Sequence, residues 1–143
     1  MLDSAEVQRQ FTHRLAQLRK AAVQRREDVS RAREAFERVL DAEIAPTVRQ
    51  LAQVLKAQGF PFSVQTPAGA VRLVADRSSD DFIGVTLDVT RRQSAVVAHR
   101  QYTRGRRVLD DERVLAEGDA IASLEAGAVL DVLLDLVEPF IER

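Results

Sequence analysis

The sequence predicts an α+β protein made of a long N-terminal helix, a four-stranded antiparallel meander and a C-terminal helix packed on the sheet. Three observations carry that reading. Residues 3–58 hold one Pro and no Gly, and they space apolar side chains three and four apart. Residues 60–102 alternate apolar with polar positions, and residues 123–142 return to helical spacing. A period that changes from 3.6 to 2 and back separates helix from strand from helix.

Asp3 followed by Glu6 makes a capping box at the start of the first helix, and Gly59 with Pro61 supplies its stop. Between them Phe11, Leu15, Leu18, Ala22, Val29, Ala32, Phe36 and Val39 follow the spacing of a heptad seam, with Arg25 at the one position where an apolar residue is missing. These nine residues are the expected oligomer interface. A charge at a seam position costs stability and selects register, with Glu27 and Asp28 near enough to a facing chain to pair with it. From Leu40 the stripe moves over by one residue and continues through Ile44, Val48, Leu51 and Leu55. Pro46 lacks an N–H and crowds the carbonyl four residues earlier, so a coiled-coil-like helix kinked near residues 41–45 is expected. A helical hairpin is the competing arrangement, disfavoured because no Gly, Asn or polar cluster flanks Pro46. Residues 1–45 thus read as a helical oligomerisation stalk and residues 46–143 as a small α+β head.

In the head, Phe60, Phe62 and Val64 alternate with polar positions, as do Val71, Leu73 and Ala75. Thr66-Pro67-Ala68-Gly69 joins the two runs as a tight turn. Ile83, Val85, Leu87 and Val89 form the clearest half-buried strand, and a fourth is expected over residues 94–102. Its inward face is open between Val97 with His99 and Val96 with Tyr102. Gly105, Gly118 and Asp110-Asp111-Glu112 mark an irregular approach to the last helix. That helix has Ser123 as candidate N-cap and Leu130, Leu133, Leu134, Val137, Phe140 and Ile141 as its buried stripe.

Composition removes several classes of function. With 45% hydrophobic and 30% charged residues the chain has material for a core and is unlike a disordered segment. It has no Cys, which excludes disulfides, thiolate metal sites and cysteine nucleophiles. No apolar run reaches membrane-spanning length, and the acidic N-terminus is unlike a signal peptide, so a cytoplasmic location is expected. Asp76, Ser78 and Asp80 imitate a calcium loop, but Asp81 stands where Gly is needed and Leu87 where Glu is needed. The six glycines are scattered and form no phosphate cradle. His13 and His99 have no second ligand at metal spacing, and no nucleophile elbow is present. No cofactor, metal or catalytic residue is therefore assigned, and the expectation is that the protein is not an enzyme.

Charge is distributed unevenly. Residues 1–58 carry 11 basic and 8 acidic groups, residues 59–107 carry 8 and 4, and residues 108–143 carry 2 and 10. Arg91, Arg92, Arg100, Arg104, Arg106 and Arg107 are candidate partner-binding residues, divided between the two ends of the fourth strand, roughly 30 Å apart. Asp131, Asp135, Glu138 and Glu142 form a carboxylate stripe opposite the apolar one on the last helix, a solvated face or a docking surface for basic groups.

The element order is similar in outline to RWD-like domains on coiled-coil stalks, a likeness of order alone. The function expected is a non-enzymatic scaffold or adaptor that associates with itself through the N-terminal helix and with another protein through the head. The alternative is a nucleic-acid-binding protein using the Arg-rich sheet ends. Nucleic acid is the less expected partner because the arginines are divided and the tail is acidic.

Overall fold

A computed structural model describes residues 1–142. Helix α1 spans Ser4–Val39, a π-helical turn spans Leu40–Ile44, and α2 spans Ala45–Ala57. The three are contiguous, so no hairpin turn separates them at Pro46. Asp3 caps the start, its Oδ1 accepting the Glu6 N–H at 2.8 Å. The Glu6 carboxylate does not reciprocate; it accepts from Arg9 and Gln10, which hold it below the usual carboxylate range.

The π turn explains the shift in the apolar stripe. The Ala45 N–H donates to the carbonyl of Leu40, five residues back rather than four. Such a turn absorbs one extra residue and rotates everything after it relative to an unbroken α-helix. Pro46 follows directly, where the ladder is already interrupted, and the Thr47 hydroxyl donates to the Glu43 carbonyl at 2.6 Å. At the far end Gly59 takes φ +91°, its N–H reaching Lys56 O, while the Phe60 N–H reaches Leu55 O at 2.8 Å. These paired bonds are a Schellman stop, and the left-handed φ is why Gly stands there.

The sheet has five strands, not four: β1 Phe62–Gln65, β2 Ala70–Ala75, β3 Phe82–Asp88, β4 Ala95–Arg104 and β5 Arg107–Glu117, in meander order. The irregular approach expected after residue 102 is a regular strand. Gly105 at φ +65° is the first residue of a two-residue turn between the paired Arg104 and Arg107, the position where a tight hairpin wants glycine. β5 escapes an alternation test because it is an edge strand, exposed over most of its length.

One face of the sheet is covered. Val71, Leu73, Ala75, Ile83, Val85, Val96 and Ala98 point into a core completed by α2 and α3 (Ala126–Ile141). Val96, Ala98 and Tyr102 therefore give the inward face of β4, with a bulge against β5 between Val96 and Val97. The last helix starts three residues later than its candidate cap, because residues Gly118–Ser123 form a 3-10 turn. Its stripe is correspondingly Val129, Leu133, Leu136, Val137 and Phe140, leaving Leu130, Leu134 and Ile141 on an exposed flank. The core also takes Ala32, Ala35, Phe36 and Val39 from α1.

Candidate partner-binding surfaces

The first surface is the N-terminal part of α1. The face that buries Ala32, Phe36 and Val39 continues beyond the head as Val7, Phe11, Leu15, Leu18 and Ala22. Phe11 is 65% exposed and Leu18 66%, and Leu15 is half-buried. Among the described residues, every side-chain hydrogen bond and ion pair made by residues 4–24 stays within α1 and its cap Asp3. Of the nine seam residues, then, Phe11, Leu18, Ala22 and Arg25 are exposed, Leu15 and Val29 are half-buried, and Ala32, Phe36 and Val39 belong to the chain's own core.

Arg25 marks the point where the arm meets the head. Its guanidinium donates to the carbonyls of Val89 at 3.0 Å, Arg91 at 3.2 Å and Arg92 at 3.5 Å in the β3–β4 loop. Within the chain Asp28 accepts from Gln24 and Arg31. The loop is fixed from its other side by Asp88. The Thr90 hydroxyl, then the Thr90 N–H and the Arg91 guanidinium, hold the Asp88 carboxyl below its ordinary range.

The six candidate arginines meet different fates. Arg91 pairs with Asp88 at 3.0 Å and with Glu112 at 2.9 Å. Arg100 points to the covered face, its side chain 14% exposed. There it pairs with Asp111, donates to Leu136 O at 3.0 Å and lies over the Tyr102 ring. It therefore ties β4, β5 and α3 together. Arg92 is exposed, its carbonyl held by Arg25. Only Arg104, Arg106 and Arg107 are brought together, exposed at the tip of the β4–β5 hairpin, which extends beyond the last β3–β4 pair, Phe82 with Gln101. Asp81, 1% exposed, anchors the base of that extension by accepting from the Thr103 N–H at 2.9 Å and hydroxyl at 3.1 Å.

The carboxylate stripe is placed as the spacing implies. Asp131, Asp135, Glu138 and Glu142 are exposed, and Asp135 lies 3.4 Å from Arg113. Among the described residues, the side chains of Asp131, Glu138 and Glu142 have no hydrogen bond or ion pair.

Two arrangements have no counterpart in the sequence reading. On the uncovered face of the sheet the Arg72 guanidinium sits 4.2 Å above the Phe82 ring, which meets His99 edge-on. The Arg72 chain crosses Gly84, where an added Cβ would lie 3.5 Å from its Cγ. His99 Nε2 lies 3.0 Å from Asp110 Oδ1. A carboxylate acceptor calls for the proton on Nε2. The second arrangement is the docking of the π turn on α3: Glu43 Oε2 accepts the Ala126 N–H at 3.1 Å.

Among the described residues no group of three or more His, Asp or Glu side chains is arranged to hold a metal, and no helix is long and apolar enough to cross a membrane. No protein family, curated protein or solved structure matches the chain.

Proposed function

We propose that the protein is a non-enzymatic homo-oligomeric scaffold: the head presents the uncovered sheet face and hairpin tip to another protein, and the arm of α1 joins copies by coiled-coil-like helix packing. The observation that carries the reading is the row Val7, Phe11, Leu15, Leu18 and Ala22, continuous with a buried stripe yet exposed except for the half-buried Leu15. The arm extends a helix already nucleated on the core, and its own apolar face gains stability only by packing on another surface. Under this reading the π turn and Pro46 kink the helix and set the direction in which the arm leaves the head. The arm beyond Arg25 is about 30 Å long at 1.5 Å per residue, long enough to reach a second copy.

Amide exchange tests the proposal. In the associated protein, amides of residues 7–24 exchange slowly and lose that protection on dilution, while β3 and β4 stay protected throughout. Fast exchange of the arm at every concentration would sink it. Weak, salt-sensitive binding of nucleic acid is expected, because the exposed candidate arginines are divided between the β3–β4 loop, at Arg92, and the hairpin tip.

A further inference from the structure

The arm and the last helix of this chain are complementary. Residues 7–26 carry six basic side chains and no acidic one, whereas residues 126–142 carry four acidic side chains and no basic one. Two arms packed on each other would bring together like charges along the whole contact, which disfavours helix pairing. We propose that the arm of one copy docks on the exposed flank of α3 of a second copy. This inference rests on the oligomeric reading above and names the surface that receives the arm.

Both halves of the contact have the same layout, an apolar row bordered by charge of one sign. On α3 the exposed Leu130, Leu134 and Ile141 lie on one flank, and Asp131, Glu138 and Glu142 lie beside them. On the arm, Phe11, Leu15 and Leu18 form the apolar row, bordered at helical spacing by Arg14 on one side and Arg19 on the other. Arg14, Arg19, Lys20 and Arg26 have no anionic partner among the described residues, and neither do the three carboxylates have a cationic one. Asp131 to Glu142 spans about 16 Å of helix and Arg9 to Arg26 about 26 Å, so the arm covers the whole stripe. The hairpin tip is the weaker candidate for this surface, because its three arginines bring no apolar row to match the leucines. Docking on the chain's own α3 is excluded by α1 itself, a single unbroken helix from Ser4 that meets the head at the opposite end of the sheet from the hairpin tip. Each copy gives an arm and receives one, so a two-fold exchange closes the assembly.

The test uses three full-length variants and light scattering at low salt, with circular dichroism to verify folding. The first is Asp131→Lys/Glu138→Lys/Glu142→Lys, which spares Asp135 and its Arg113 contact. The second is Arg14→Glu/Arg19→Glu/Lys20→Glu, and the third combines all six changes. The proposal expects the unmodified protein to associate, each triple variant to lose association, and the combined variant to regain it. Persistence of the oligomer in the first variant would overturn the α3 contact while leaving self-association through arms intact. If the first variant fails to fold, Asp131→Asn/Glu138→Gln/Glu142→Gln takes its place and should weaken association, and an unchanged oligomer in that variant overturns the α3 contact. Failure of the folded six-fold variant to associate overturns the proposal. A monomeric unmodified protein would end both the proposal and the oligomeric reading.

Discussion

Replacing Glu43 should destabilise the head by loosening α3 from the π turn. The N-terminus of α3 has no side-chain cap of its own, since Glu125 occupies the N-cap position without such a bond. The Glu43 carboxylate supplies the acceptor instead, 3.1 Å from the Ala126 N–H. Loss of an N-terminal cap costs about 0.5–2 kcal/mol. A carboxylate at the positive end of a helix contributes about 0.3–1 kcal/mol of charge interaction within the same total. Glu43→Ala should therefore cost about 1–2 kcal/mol, and Glu43→Gln, which keeps an acceptor oxygen and loses the charge, about half of that. For a chain of this size each kcal/mol lowers Tm by roughly 3–5 °C. Denaturant titrations at one protein concentration measure the difference without mixing in mass action. Glu37→Ala, on the exposed side of α1, is the control and should stay within about 0.5 kcal/mol of the unmodified protein. A Glu43→Ala variant as stable as that control would refute the reasoning, as would a Gln variant less stable than the Ala variant.

Asp81→Ala removes the buried acceptor of the Thr103 N–H and hydroxyl and should cost about 1–3 kcal/mol by denaturant titration, with amides of residues 102–109 exchanging faster. Arg25→Ala frees the three loop carbonyls and should speed amide exchange in the β3–β4 loop without changing the oligomer; Arg25→Leu broadening the oligomer distribution would show instead that Arg25 sets the seam register. The hydrogen bonds that lower the Asp88 pKa stabilise the β3–β4 loop above the unfolded carboxylate range and lose that effect as pH falls through the lowered folded value. Loop exchange rates corrected for intrinsic chemistry should accordingly be flat from pH 5 to 8 and rise only in acid. Affinity for duplex or single-stranded oligonucleotides should vanish between about 50 and 200 mM salt, and sub-micromolar binding that persists there and depends on Arg104, Arg106 and Arg107 would favour the nucleic-acid alternative.

The helices and the first four strands were legible because burial imposes a period on sequence. Phe62, Leu73, Ile83 and Val85 had to face the core, and their alternation announced it. β5 was hidden because an edge strand with little buried surface has no such constraint. Its signal lay in charge: Arg100 pairs across the hairpin with Asp111, and His99 with Asp110, about the turn at Gly105. The acidic triplet mirrors the basic residues of β4, a hairpin signature that hydrophobicity does not register. The one-residue slip of the apolar stripe at Leu40 was visible in sequence, and the π turn is its structural cause. The contacts of Arg25 and Glu43 were not visible, because each joins segments more than 60 residues apart through backbone groups common to every residue type.

The proposed oligomeric scaffold rests on the arm, and the mass of the protein in solution tests it most directly. Light scattering on the unmodified protein should give at least twice the mass of one chain. Leu15→Asp/Leu18→Asp should give the mass of one chain, with the near-ultraviolet signal of the head unchanged. An unmodified protein that scatters as a single chain at high concentration, or a double variant with the same mass as the unmodified protein, would contradict the account.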